Sequence, residues 1–112
     1  MPRVLGVSEV KEGLKGLRGW RKKGNFLAKD FHFDDFLGGI SFVDKVAKVA
    51  EKEEHHPDIY IRYTDVTLDI QTHSEGGITE WDLSLARAID QLGADGKRKE
   101  TRVARTRPRK QL

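Results

Sequence analysis

The stretch ISFVDKVAKVAEKEEHHPD, residues 40–58, decides how this chain is read. Phe42, Val43, Val46, Ala47, Val49 and Ala50 follow the three-and-four spacing of one helix face, while Lys45, Lys48, Glu51 and Lys52 occupy the other. Pro57 lacks an N–H and clashes with a preceding helical turn, and it biases His56 away from helical backbone. The helix therefore stops where the histidines begin. Two of the chain's four histidines, His55 and His56, stand side by side at a helix-to-loop junction.

Outward from this helix the period changes to that of strands. Upstream, Gly24-Asn25 separates two strand-like segments, and Phe31 and Phe33 alternate with Asp30, His32 and Asp34. Aromatics on one face and polar groups on the other suit a sheet covered on one side. Before that, Val7, Val10, Leu14 and Leu17 have helical spacing, interrupted by Gly13 and Gly16. Downstream, IYIRY and VTLDIQTH form a hairpin expected to turn at Thr64-Asp65. Val66, Leu68 and Ile70 share one face of its second strand, and Thr67, Asp69, Gln71 and His73 the other if the strand carries no bulge. Thr79 then opens a helix with an apolar stripe of Trp81, Leu85, Ile89 and Leu92, ended by Gly93 and Gly96. Trp20 and Trp81 are expected as core anchors.

The order α-β-β-α-β-β-α predicts an α+β fold, a four-stranded antiparallel sheet with three helices on one face. Residues 1–96 form one domain on this reading. Residues 97–112 form a basic tail with too few large apolar side chains to pack. From Lys97 to Lys110 the charge is +7, against +3 for the whole chain, so the remaining residues carry −4. The basic character belongs to the tail, which suits a weak nucleic-acid or acidic partner and says little about the body.

The chain has 112 residues and no cysteine, so disulfides, thiolate metal sites and a cysteine nucleophile are excluded. There is no apolar run long enough for a membrane span and no secretory signal at the start, so a cytoplasmic location is expected. A phosphate-binding glycine loop, GxSxG and HExxH are all missing.

Three readings of the histidine pair stand side by side. It is a polar end that suits the negative pole of a helix, part of a three-histidine metal site with His73, or an acid–base set acting near neutral pH. Asp82 and Glu51 are the nearest orienting carboxylates in this topology. Each also has a plain reading: Thr79 to Asp82 has the spacing of a capping box, and Glu51 lies in a charged run of solvated surface.

Glu51, three intervening residues and His55-His56-Pro57-Asp58 form the centre of a longer ordered pattern. It continues through VTLDIQTH to His73, and through the following glycines to ITEWDLSLARAIDQL, with FHFDDF before it. From about Gly19 to Leu92 the chain resembles the pterin-4a-carbinolamine dehydratases. The resemblance implies a cofactor-free and metal-free dehydration of a 4a-hydroxytetrahydropterin to quinonoid dihydropterin and water. It makes His55, His56, His73 and Asp82 catalytic, and Glu51, Pro57, Asp58 and Trp81 substrate-binding or orienting. It also implies a homodimer or homotetramer built by pairing of sheet edges. Two positions depart from the pattern: many relatives have an aromatic residue where this chain has Ile59, and a polar one where it has Trp81. Some relatives act as transcriptional coactivators or assembly factors, so a non-enzymatic dimeric scaffold is the alternative function.

Overall fold

The computed structural model describes residues 2–93, so the expected boundary at residue 96 and the basic tail lie outside the described residues. The elements are α1 (Val7–Gly13), β1 (Arg21–Lys23), β2 (Phe26–His32), α2 (Phe36–Glu53), β3 (Asp58–Arg62), β4 (Asp65–Ile70), a 3-10 turn (His73–Glu75) and α3 (Glu80–Asp90). The four strands form one antiparallel sheet in the order β1-β2-β4-β3. The α+β fold and its element order are as the sequence predicts.

Register assigns each side chain to a face. Leu27, Lys29 and Phe31 of β2 lie opposite Ile70, Leu68 and Val66 of β4, and Ile59 and Ile61 of β3 lie opposite Leu68 and Val66. This row faces the helices. Val46 and Phe42 of α2 and Leu85, Ala86 and Ile89 of α3 complete one core with it. The opposite row carries Arg21, Asp30, Arg62, Thr67 and Asp69, tied by Arg21–Asp30, Lys23–Asp69 and Thr67–Asp30 contacts. A Cβ on Gly13 would lie 2.5 Å from Leu83 Cδ1, so a larger residue there requires Leu83 to shift.

Lys29 breaks the apolar pattern of the helix-facing row. It is buried, and its Nζ lies 3.1 Å from Asp90 Oδ1, which also accepts the Trp20 Nε1 hydrogen at 3.0 Å. The ammonium sits 4.9 Å from the centroid of the Phe31 ring. A cation on an aromatic face with a carboxylate partner is tolerated where a bare one is not.

Several local expectations change. The stop at Gly13 leaves Leu17 outside α1, in the loop that follows but still buried, while Val7 is 70% exposed. α2 begins earlier than expected, at Phe36, because Asp35 caps it by accepting the Gly38 N–H at 2.8 Å. Ala47 of the predicted buried face is exposed. The hairpin turns one residue early, at Tyr63-Thr64, where Tyr63 takes the left-handed conformation with φ 52°. Trp20 is a core residue, but Trp81 is 50% exposed and does not anchor α3. It stands in the first turn of that helix, beside His55 and not in the core.

At the N-terminus Arg3 and Glu9 form a bidentate pair at 2.9 Å, and Glu9 also accepts the Gly6 N–H at 2.8 Å, capping α1. These bonds, the Arg3 guanidinium first, lower the Glu9 pKa to about 2. A depressed carboxylate contributes stability above its unfolded pKa and loses it as pH falls through the folded one. Fraying of α1, followed by amide exchange, is therefore expected to rise as pH drops from about 4.5 toward about 2. Glu9→Gln should abolish that pH dependence.

Candidate active site

The end of α2 shapes the histidine pair. Glu54 adopts the left-handed conformation, φ 56° and ψ 40°, and its N–H reaches Ala50 and Glu51 carbonyls. The His55 N–H bonds back to Ala50 O at 3.1 Å. This is the Schellman closure of a helix, made here without glycine at a backbone cost of about 1 kcal/mol. The turn and the extended path into Pro57 send the two rings different ways. His55 Nε2 lies 2.5 Å from Asp82 Oδ1, and His56 Nε2 lies 2.7 Å from Glu51 Oε2. The first pair is enclosed, with side-chain exposures of 12% and 0%; the second is open, at 61% and 78%.

Asp82 both caps α3 and contacts a histidine. Its Oδ2 accepts the Thr79 N–H at 2.7 Å, and the Thr79 hydroxyl accepts the Trp81 N–H at 3.1 Å. Thr72 Oγ1 also donates to Oδ2, at 2.9 Å. With two donors on Oδ2, the carboxylate meets His55 through Oδ1 as an acceptor. His55 therefore donates from Nε2, and its neutral form keeps the lone pair on Nδ1. The capping reading and the orienting reading of Asp82 are thus compatible, because its two oxygens face different partners.

His73 does not continue β4. The strand ends at Ile70, Thr72 bridges to Gly77, and His73 opens the 3-10 turn. It is exposed, with its ring edge-on to Phe26 at 6.4 Å between centroids. Strand pairing therefore stops before His73, although its ring still meets Phe26, which alternates with Leu27 and shares the open-face register of Asp30. Trp81 stands edge-on to His55 at 6.2 Å. His55 and Trp81, with Glu53, Glu54 and Ser84, line a cavity of about 330 Å³, and His56 and His73 are not in that lining. Asp58 opens β3 directly after Pro57, cross-strand from Asp69. His32 is apart from all of these, paired with Asp65 at 2.5 Å on the open face. Among the described residues no three His, Asp or Glu side chains gather as a metal-binding group.

Sequence reasoning missed Thr72 and Phe26. Neither has a local signal: Thr72 is polar in a strand end, and Phe26 follows a turn. Both are found only through their contacts with Asp82 and His73.

A small α+β domain whose second helix ends in a histidine pair, one ring held by the capping aspartate of the third helix, defines a class of compact proteins with a histidine–carboxylate site. Residues 3–92 match the family model described as Pterin 4 alpha carbinolamine dehydratase, and the chain belongs to that family. It is 46% identical over 92 residues to a Metallosphaera sedula protein named "Putative pterin-4-alpha-carbinolamine dehydratase", covering 82% of this chain and 95% of that one. A Mycobacteroides abscessus protein of the same name is 49% identical over 91 residues, covering 80% and 97%. The crystal structure of a transcriptional coactivator/pterin dehydratase from Brucella melitensis superposes with TM-score 0.76 at 36% identity, over 80% of this chain and 98% of that one. A pterin dehydratase-like protein identified as a RuBisCO assembly factor in the alpha-carboxysome is more distant, with TM-score 0.59 at 26% identity over 70% and 94%. No helix among the described residues is long and apolar enough to cross a membrane.

Proposed function

We propose that this chain dehydrates a 4a-hydroxytetrahydropterin to quinonoid dihydropterin and water by histidine acid–base chemistry. The observation that carries the reading is the enclosed His55–Asp82 contact, in a chain of the dehydratase family. The reaction breaks the C4a–O bond. One group protonates the leaving hydroxyl, which departs as water. A second takes a proton from the adjacent ring nitrogen, whose electrons form the new C=N bond. Protons balance and no electrons leave the substrate, so neither a metal nor a redox cofactor is required by the chemistry.

His56 and His73 are assigned as the main proton-transfer groups, and His55, held by Asp82, positions substrate or shares the acid role. Glu51 supports the His56 ring. Pro57 and Asp58 lead from it into β3, and Trp81 forms an apolar wall beside His55. The reaction is placed in the cytoplasm. A coupled or stopped-flow assay with a 4a-hydroxytetrahydropterin tests the reading, with chelator added in parallel. Turnover unchanged by chelator is expected; turnover lost to chelator and restored by zinc would favour the metal reading instead.

The likeness to a RuBisCO assembly factor favours one second reading, a non-enzymatic scaffold or coactivator-like binding protein. A folded, oligomeric chain without turnover in the same assay would select it. On either reading a homodimer or homotetramer is expected. β1 and β3 are the two sheet edges, and β3 exposes Tyr60 and Ile61 beside its unpaired backbone. Light scattering at micromolar concentration should give at least twice 12.8 kDa; a monomer throughout that range would refute this.

A further inference from the structure

We infer that Thr72 is a positioning residue of the site, a side chain that ties the turn carrying His73 to the carboxylate holding His55. Thr72 is 2% exposed and uses all its polar groups. Its N–H bonds to Gly77 O at 3.0 Å, and its carbonyl accepts the N–H groups of Glu75 and Gly76, both at 3.0 Å. These bonds close the turn that begins with His73. Its hydroxyl lies 2.9 Å from Asp82 Oδ2 and 2.8 Å from Thr79 Oγ1.

The direction of this chain of bonds follows from donor counting. A carboxylate only accepts, so the Thr72 hydrogen is directed to Asp82. Thr72 then has none left for Thr79, and the Thr79 hydroxyl donates to Thr72. Thr79 Oγ1 in turn accepts the Trp81 N–H. The order is Trp81 N–H to Thr79, Thr79 to Thr72, Thr72 to Asp82. At its end, Asp82 Oδ1 receives His55 Nε2. A hydroxyl on Oδ2 fixes the plane of the carboxylate, and with it the direction in which Oδ1 meets the imidazole. The same residue sets where His73 leaves the sheet. Histidines 18 positions apart in sequence are thereby held to one frame.

Thr72→Val removes the hydroxyl at nearly constant volume. On the dehydratase reading, kcat is expected to fall about tenfold or more, the usual range for a group that orients a functional imidazole, with KM changed less than about threefold. Thr72→Ser should restore kcat to within about threefold of the parent. A readout independent of activity is the His55 Nε2–H proton resonance. It should be sharp and far downfield in the parent and in Thr72→Ser, and broadened by exchange in Thr72→Val. If Thr72→Val does not fold, the Thr72 hydroxyl proton in the parent decides: it should exchange slowly and show proximity to Asp82. Unchanged kcat and an unchanged His55 resonance in folded Thr72→Val overturn the inference. So does failure of Thr72→Ser to restore both, or a hydroxyl proton directed to Thr79. If the parent lacks dehydratase activity, the proposed function fails while the resonance measurements still judge Thr72.

Discussion

Asp82→Asn is expected to lower turnover by about 100-fold or more while the protein stays folded. The amide oxygen can take over the position of Oδ2, where Thr79 N–H and the Thr72 hydroxyl both need an acceptor. The amide NH2 then faces His55, where an acceptor stood. A donor there forces His55 to accept through Nε2 and moves its hydrogen to Nδ1, the wrong tautomer for the proposed chemistry. The helix cap survives, so urea midpoints should move little. The single variants His56→Ala and His73→Ala test the assigned proton-transfer pair by the same assay. Each should lose about 100-fold or more in kcat, the scale of one general acid or base, with pterin affinity nearly kept. Near-parent rates in both would remove them from that role, whatever the family of the chain.

Asp90→Ala is expected to destabilise the fold by about 3–5 kcal/mol, because it strands the Lys29 ammonium among Trp20, Phe31 and the sheet. It also leaves the Trp20 indole N–H without its acceptor. Lys29→Met is the informative partner. It removes the charge from the core row and keeps the stem volume, so it should cost far less and can be neutral. Asp90 would still accept from Trp20 in that variant. Equilibrium urea unfolding at fixed protein concentration separates the two. Equal losses in both variants would show that the pair is held by packing and not by the need to neutralise a buried cation.

Much of the fold was legible because its signals are local. The three-and-four spacing from Phe42 to Ala50 and the proline at 57 require a helix that ends before His56, and α2 ends at Glu53. Alternation around Phe31 and along Val66, Leu68 and Ile70 requires strands with a buried apolar face, and that row is buried; Thr67 and Asp69 on the other face of β4 are buried too, because β4 is a central strand covered by its neighbours' polar side chains. The capping spacing from Thr79 to Asp82 was readable for the same reason, since a cap is a matter of a few residues. Where local signals compete, the sequence reading slipped. Trp81 has the spacing of a core residue yet is half exposed beside His55. His73 has the parity of a strand residue, but β4 ends before it and it opens a 3-10 turn. Lys29 keeps strand parity and is buried among apolar groups, which periodicity forbids and only a partner 61 residues away permits.

By itself the sequence determined the order of elements, the apolar row of β4, the stop at the histidine pair and the cap of the last helix. All of these follow from backbone preferences and from side chains within a turn or two of one another. The tertiary structure alone decided which carboxylate meets which imidazole: Asp82 takes His55 across 27 residues, while Glu51 takes His56 across five. It also decided that a threonine with no motif of its own joins the two histidine-bearing turns. The His55–Asp82 pairing depends on how far α2 and α3 approach over the sheet. That distance is set by the packing of the whole core, and no short stretch of sequence encodes it.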